Sequence, residues 1–363
     1  MNNFVKVLKE VIPGVAAEDL HLPLCETGMH SLDAIIVRDS LEQHFGFEIP
    51  DADWFGFKTL AETLEYCYQA KRASEFFSFG SPVNSRRSYE ITIPLMANAA
   101  LSENWLLKEM GDMHWALLSD GLQQKSSRFT DSLGNRLYAA FVRIKYAISP
   151  LNQFAENETL HLANEISRYG NSAYYSGVNG HCIGKKIEAN LMTSFSVRKN
   201  QDNSQITSSN PEEKVNHVPE LDAVPDFHST HRLVKKGLIK NLVSGGYTFR
   251  ITDSEIDSLE YTINPYYEVN GVGLLYFAAY PIIADRCAST FFKQTMELAD
   301  YDRTYHTIFR DCFFFANCNA DDKIIIKLNY VEILEGDRLQ IATSLYRQSD
   351  GKLMARIFTV KQK

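Results

Sequence analysis

Two long apolar helices, each followed by strand-like segments, constrain the fold of this chain more than any other feature. The first helix is predicted over 101–118 and the second over 272–288, and apolar residues surround both almost completely. A helix without a polar face is normally enclosed by other structure. The pattern therefore predicts two helices that are wrapped by the strands that follow them.

The strand-like segments occur in the same order after each helix. They are predicted over 136–146, 159–169, 173–175 and 188–198 in the first copy, and over 307–318, 323–333, 338–347 and 353–360 in the second. This repeat predicts an α+β double hot-dog fold, in which two antiparallel sheets each wrap a long helix. Pro281 is expected to kink the second helix.

The domain limits follow from shifts in composition. Residues 1–72 are predicted as an all-α four-helix bundle, with a first apolar stripe at Val5, Leu8 and Ile12. A capping box, Thr59-x-x-Glu62, begins the last helix. Residues 73–88 are predicted as a linker and 89–363 as the double hot-dog domain, with subdomains at about 89–200 and 232–363. The polar residues 200–231 are predicted as a flexible connection between them.

Segment 26–33, Glu-Thr-Gly-Met-His-Ser-Leu-Asp, puts Ser31 at the start of a helix. Free backbone N–H groups and partial positive charge there suit a residue that carries a phosphodiester. The segment resembles the acyl carrier proteins of polyketide and fatty-acid assembly lines. That resemblance implies 4′-phosphopantetheine on Ser31, attached by a phosphopantetheinyl transferase. His30 replaces the family's usual Asp, and an unmodified module in which Ser31 only caps the helix is the alternative.

Composition and charge exclude several classes of function. The net charge is −8 and no basic cluster with interleaved aromatics occurs, so no nucleic-acid partner is expected. The apolar run 272–284 is shorter than the roughly 20 residues that span a bilayer, and no signal peptide is evident. We therefore expect a cytoplasmic protein without a membrane partner. The six cysteines form no CxxC pair, so no metal site is expected.

Two runs in the second domain, 101–115 (LSENWLLKEMGDMHW) and 270–280 (NGVGLLYFAAY), point to a family. Residues 89–363 resemble the double hot-dog acyltransferase/decarboxylases first seen in leinamycin biosynthesis. Members transfer methylmalonyl from its coenzyme A thioester to a tyrosine, decarboxylate it and pass propionyl to a carrier protein. The resemblance implies a malonyl-type acyl-CoA as substrate, and polyketide synthase modules or other carrier proteins as partners.

The family's nucleophilic tyrosine lies on the strand after the first buried helix, and Tyr138 is the best match. By strand alternation it would share a face with Val142, Ile144 and Tyr146. A phenol is mainly protonated at neutral pH, so the nucleophile requires a nearby base or cation. A plain core tyrosine is the alternative role for Tyr138.

Two residues of the first helix are candidates to assist Tyr138. His114 follows Leu107 and Met110 on one helix face, where it would either activate the tyrosine or serve as a core histidine. Asn104, in the first turn, would either donate a hydrogen bond to a thioester carbonyl or cap the helix.

Asn270, Gly271 and Gly273 are predicted to open the second buried helix. A bare backbone there would let a substrate carbonyl approach, or would only permit tight packing against the sheet. Arg136 and Lys145 are candidate contacts for a phosphate of coenzyme A, with solvated charge as the alternative for each.

Other functions remain open at this point. Hot-dog domains also serve as dehydratases and thioesterases acting on carrier-bound acyl chains, or the domain would be a non-catalytic adaptor for a carrier. A dehydratase needs a His paired with an acidic residue, and no such pair is evident. The absence of a Gly-x-Ser-x-Gly motif argues against a serine acyltransferase.

Overall fold

The structure, a computed structural model, describes residues 20–23, 31–45, 49–73, 83–212 and 215–363. The chain divides into two units, Met1–Glu75 and Phe76–Lys363. The finer domain limits given above stay predictions.

The first unit is helical where it is described. It contains α1 (Ser31–Phe45), α2 (Asp51–Trp54) and α3 (Leu60–Ala73). Thr59 Oγ1 accepts a hydrogen bond from Glu62 N at 3.1 Å, while the Glu62 carboxylate accepts from Lys58 N at 2.7 Å. The predicted capping box therefore forms in one direction, with the return bond shifted by one residue. A common core unites the segments: Leu20, Val37, Leu41, Ile49, Leu60, Leu64 and Cys67.

The stripe at Val5, Leu8 and Ile12 lies outside the described residues. The helix count of a four-helix bundle therefore stays a prediction.

The second unit consists mainly of long antiparallel strands. Its helices are α4 (Glu103–Gly121), α5 (Asp226–Lys235), α6 (Pro265–Glu268), α7 (Ala279–Gln294) and α8 (Tyr301–Thr304). Its strands are β1 (Asn84–Glu90), β2 (Met96–Ala97), β3 (Ala100–Leu101), β4 (Leu137–Ile148), β5 (Thr159–Tyr169), β6 (Ala173–Cys182), β7 (Lys185–Arg198), β8 (Ile206–Ser208), β9 (Asn241–Ser244), β10 (Tyr247–Arg250), β11 (Asp257–Thr262), β12 (His306–Phe314), β13 (Lys323–Leu334), β14 (Arg338–Arg347) and β15 (Leu353–Gln362). The predicted strands agree with these to within a few residues, except that β6 is much longer than predicted.

One continuous sheet runs through both repeats. Its order is β1-β5-β6-β7-β4-β12-β15-β14-β13-β11, with β8 paired to β7. The first five strands form one half and the last five form the other, in matching order. The antiparallel β4–β12 pair, with Ile144 opposite Cys312, joins them. The predicted antiparallel strands are confirmed, but they form the two halves of one sheet, so the prediction of two separate sheets was wrong.

Each half wraps one long helix, as the apolar helices predict. Leu106 and Met110 of α4 and Ile283 and Cys287 of α7 all belong to the main hydrophobic core. The second helix, however, begins at Ala279 and not near residue 272. Pro281 therefore lies in the first turn, where an N–H has no partner within the helix, so the expected kink has no cause there.

The segment 200–231 is partly built into the domain. β8 pairs with the end of β7, with Ser208 opposite Ser196. α5 begins at Asp226, and Phe227 packs on the sheet face that points away from α4 and α7, beside Tyr175 and Met192. These elements were not predicted because the segment is mainly polar. A few apolar residues are nevertheless enough to anchor them to the sheet.

The same outer face of the second half is covered by the β9–β10 hairpin. Phe309, Phe313 and Phe358 of the sheet pack there against Tyr247 and Phe249 of the hairpin. In the part of the chain that the structure describes, no helix is long and apolar enough to cross a membrane.

Candidate functional site

A large cavity lies where the two halves of the second unit meet. Its volume is about 1520 Å³, and its walls come from β4, β7, α5 and the loop between α6 and α7. Many of the lining side chains are apolar, including Trp115, Phe141, Val142, Met192, Leu275, Phe277 and Phe314. An apolar cavity with a few converging polar groups is the usual form of a small-molecule site.

Tyr138 lines this cavity near the start of β4. The guanidinium of Arg136 lies 5.2 Å from the centroid of its ring, and that of Arg198 lies 5.0 Å from it. Positive charge stabilises the negative charge that develops when a phenol acts as a nucleophile. Tyr138 is half-buried, so the ring is both accessible and held.

The face on which Tyr138 lies differs from the expected one. The pairing of β4 with β7 shifts register between Phe141 and Arg143, which marks a β-bulge. A bulge inserts one residue and reverses the alternation beyond it. Ile144 and Tyr146 consequently belong to the core around the helices, whereas Tyr138 lies on the other face. The expectation that Tyr138 shares a face with Ile144 and Tyr146 was therefore wrong, whereas Val142 packs on the outer face and lines the cavity together with Tyr138.

A second tyrosine of the cavity, Tyr276, has the opposite electrostatic surroundings. Burial, together with the carboxylates of Asp112 and Glu109, raises the pKa of Tyr276 to about 12. The Lys108 ammonium lies 5.6 Å from its ring centroid and does not reverse the effect. Of these two tyrosines, Tyr138 is the one with guanidinium groups beside its ring.

Asn270 builds a tight turn beside Tyr138. Its Oδ1 accepts hydrogen bonds from Val272 N at 3.1 Å and Leu274 N at 3.0 Å, and Gly273 has φ +83°. Arg198, which lies over the Tyr138 ring, donates to Val272 O at 2.6 Å. The turn thus belongs to the same site as the tyrosine.

Two hydrogen-bond donors of this turn are available to a ligand. Neither Asn270 Nδ2 nor Gly271 N–H has a hydrogen-bond partner among the described residues, and both residues line the cavity. A Cβ added to Gly271 would meet nothing within 4 Å. The turn lies in the loop several residues before α7, so the prediction that Asn270, Gly271 and Gly273 open that helix was wrong.

His114 and Asn104 have other contacts. His114 is fully buried, with Nδ1 2.7 Å from Ser176 Oγ and Nε2 2.8 Å from Thr193 Oγ1. Burial lowers its pKa to about 3, so the imidazole is neutral at physiological pH. Asn104 Nδ2 donates to Ala278 O at 3.0 Å, which ties α4 to the residue before α7. The helix cap is Ser102, whose Oγ accepts from Trp105 N.

The remaining predicted residues divide between the two units. Ser31 is the first residue of α1, as the sequence indicated, and His30 lies outside the described residues. Arg136 lines the cavity. Lys145 is buried in the sheet opposite Asn190, away from the cavity lining.

α5 contributes cavity residues that the sequence did not reveal: His228, His231, Arg232, Lys235 and Lys236. Nδ1 of His228 lies 2.7 Å from the Tyr175 hydroxyl, and burial lowers the pKa of His228. A weak helix signal was present, because Phe227 and Val234 are seven residues apart behind Pro225 and an acidic first turn. Among the described residues, no group of three or more His, Cys, Asp or Glu could hold a metal ion.

Comparison with known proteins gives a match for each of the two units. Residues 4–67 match the phosphopantetheine attachment site family. The chain is similar in structure to a protein described provisionally as an oleoyl thioesterase from Lactobacillus plantarum (TM-score 0.56, 12% identity, 79% of this chain and 99% of that one). It is also similar to the 12:0-ACP thioesterase from Umbellularia californica (TM-score 0.51, 11% identity, 77% and 94%). At such identities the similarity establishes the hot-dog fold. A search of curated proteins gave no match.

Proposed function

We propose that the chain is an acyl carrier protein fused to a double hot-dog acyltransferase/decarboxylase. It takes a malonyl-type acyl group, methylmalonyl by preference, from its coenzyme A thioester onto Tyr138. It then delivers the decarboxylated acyl group to a carrier's phosphopantetheine thiol in polyketide-type biosynthesis. The main support is the setting of Tyr138, which lies beside two guanidinium groups in a cavity shared by both halves.

The first step is transfer of the acyl group to the tyrosine. The Tyr138 oxygen attacks the thioester carbonyl, an oxygen–acyl bond forms, the carbon–sulfur bond breaks, and coenzyme A leaves with the proton from the phenol. Asn270 Nδ2 and Gly271 N–H are the donors we assign to the developing oxyanion. Each such donor typically contributes about 100- to 1000-fold in rate.

The second step is loss of CO2 from the bound acyl group. The bond between the α-carbon and the carboxylate breaks, and its electron pair enters the ester carbonyl as an enolate. The enolate then takes a proton from solvent water at the α-carbon. The apolar side chains of Val142 and Met192, which line the cavity on the outer sheet face, favour expulsion of the charged carboxylate. The same donors that stabilise the oxyanion stabilise the enolate oxygen.

The last step regenerates Tyr138. The thiol of a phosphopantetheine arm attacks the tyrosyl ester and a carbon–sulfur bond forms. The bond between the Tyr138 oxygen and the acyl carbon breaks, and the thiol proton returns to the phenol oxygen. The arm on Ser31 or on another carrier protein serves as acceptor, once a phosphopantetheinyl transferase has installed it. The match of residues 4–67 to the attachment-site family supports this assignment.

A thioesterase is the second candidate, since both similar structures are named as thioesterases. In that reaction water replaces the thiol of the arm, and a free acid is released. The same cavity and the same donors would serve, because the oxyanion forms at the same carbonyl.

Intact-protein mass spectrometry of phosphopantetheinylated chain mixed with methylmalonyl-CoA tests the proposal. We expect a mass gain equal to a propionyl group on the phosphopantetheine arm, with CO2 released in equal amount. Ser31→Ala has no arm and cannot carry this gain, so any acyl group that it retains should lie on Tyr138. A methylmalonyl-sized gain would contradict decarboxylation. Free acid with no gain on the arm would favour the thioesterase.

A further inference from the structure

We propose that the C-terminal end of α5, together with Lys352, binds the phosphate of a phosphopantetheine thioester at the mouth of the cavity. The assignment deepens the proposed function and rests on it for the identity of the ligand. The cavity then has an apolar interior for the acyl group and a cationic mouth for the phosphate at the other end of the arm.

Four cations make up this mouth: Arg232, Lys235, Lys236 and Lys352. All four are exposed, and all four line the cavity. None of them takes part in an ion pair among the described residues. These residues leave positive charge available to an anion, although the net charge of the chain is −8.

The helix dipole accounts for only part of the cluster. Basic residues in the last turn of α5 complement its negative end, which explains Lys235 and its neighbours without a ligand. Lys352, however, lies in the turn between β14 and β15, more than 100 positions away in the sequence. The helix dipole does not account for its place in the lining of the same cavity, and phosphate recognition does.

His231 is a second, independent observation. Its ring lies nearly parallel to Phe313 at 6.2 Å, the residue is 6% exposed, and it lines the cavity. Nε2 is buried and has no hydrogen-bond partner among the described residues. An unpaired buried polar atom is costly, so a ligand group that satisfies it gains affinity.

The protonation state of His231 indicates which ligand group fits. Burial lowers its pKa to about 4, while a backbone hydrogen bond at Phe314 partly opposes the shift. A neutral imidazole whose one nitrogen bonds the backbone offers the other as an acceptor. The amide N–H groups and the hydroxyl of pantetheine are donors, and they lie between phosphate and thiol.

Calorimetric binding to the full-length Ser31→Ala chain, which has no arm of its own, tests the site. The probes are coenzyme A, 4′-phosphopantetheine and pantetheine. In Arg232→Ala/Lys235→Ala/Lys236→Ala we expect the affinity for both phosphorylated probes to fall about 10-fold or more. The affinity for pantetheine should be unchanged.

A matched control removes the same charge elsewhere. Lys240, Arg250 and Lys363 are exposed and lie outside the cavity lining, so their triple alanine variant should bind all three probes as the parent does. Lys352→Ala is a further variant that leaves α5 intact. It should lower the affinity for the same two phosphorylated probes by a smaller factor.

Three results would overturn the assignment: equal losses in both triple variants, an equal loss for pantetheine, or a loss confined to coenzyme A. The last would mean that the cluster binds the nucleotide phosphates. These binding measurements do not depend on catalysis. If the chain shows the expected binding pattern but never transfers an acyl group, the phosphate site is supported and the proposed function is contradicted.

Discussion

The two halves of the second unit share one architecture and differ in what covers their outer faces. In the second half, the β9–β10 hairpin and a cluster of aromatic rings close that face. In the first half, the face around Tyr138 opens into the cavity. A duplicated helix-and-sheet unit thus supplies one half with a sealed surface and the other with a site.

The difference arises outside the repeated elements. The hairpin that seals the second half and α5, which bounds the cavity, both lie in the chain between the two repeats. The seam between the halves is itself fixed by a buried ion pair, in which Arg143 of β4 bonds both oxygens of Asp311 on β12 at 2.9 and 2.6 Å. The cavity therefore lies beside a junction that contains a buried ion pair.

The largest effect is expected from removing the proposed nucleophile on the open side. Tyr138→Phe should slow release of coenzyme A from methylmalonyl-CoA at least about 1000-fold, since the attacking oxygen is lost. Thermal unfolding should change little. Tyr266→Phe, at an exposed tyrosine that lines the same cavity, is the control and should retain activity. Equal rates of coenzyme A release in the parent and in Tyr138→Phe would contradict the assignment of the nucleophile to the open half.

The next effect concerns the seam. Asp311→Asn should lower the free energy of unfolding by about 3–5 kcal/mol, because it leaves the buried Arg143 guanidinium without its counter-charge. Asp253→Asn removes a largely exposed partner of Arg356 and should cost less than about 1 kcal/mol. Urea denaturation of both variants measures the difference, and similar losses would show that the seam is not specially stabilised.

A smaller loss is expected on the sealed side. Gly245 has φ +59°, and a Cβ there would lie 2.1 Å from the ring of Phe309. Gly245→Ala should therefore cost about 2–3 kcal/mol, which combines backbone strain with a clash. Gly134→Ala has similar φ but open space, so it isolates the strain at about 1 kcal/mol. Equal denaturation midpoints for the two variants would show that the Phe309 ring shifts at little cost to accommodate the added methyl group.

The effect that is smallest near neutral pH is a pH dependence within the core of the open half. The pKa of His114 is lowered to about 3, whereas an unfolded histidine titrates near 6.5. The unfolded state therefore binds the proton first, and stability falls as pH drops from about 6.5 toward 3, by at most about 1.4 kcal/mol per unit. His114→Gln should flatten this slope, whereas exposed His181→Gln should not. Identical slopes in His114→Gln and the parent would contradict the assignment.

The fold was more accessible from the sequence than the site was. The two buried helices and most strands were predictable because their apolar periodicity is local. The β-bulge after Phe141 was not predictable, since only the pairing of β4 with β7 defines it. Because of this bulge, Tyr138 lies on the sheet face opposite that of Ile144 and Tyr146. The role of Arg198 was not predictable for the same reason, because its proximity to Tyr138 depends on the pairing of strands that are far apart in sequence. His228 and its neighbours were hidden within a polar segment.

Tandem mass spectrometry of the Ser31→Ala chain, quenched after mixing with methylmalonyl-CoA, tests the central claim most directly. Without its own arm the protein has no internal acceptor, so the acyl group should accumulate on its first attachment site. We predict a single modified peptide that carries the acyl group on the Tyr138 oxygen. An acyl group on Tyr276 or any other residue, or an unmodified chain that still releases coenzyme A, would contradict the account.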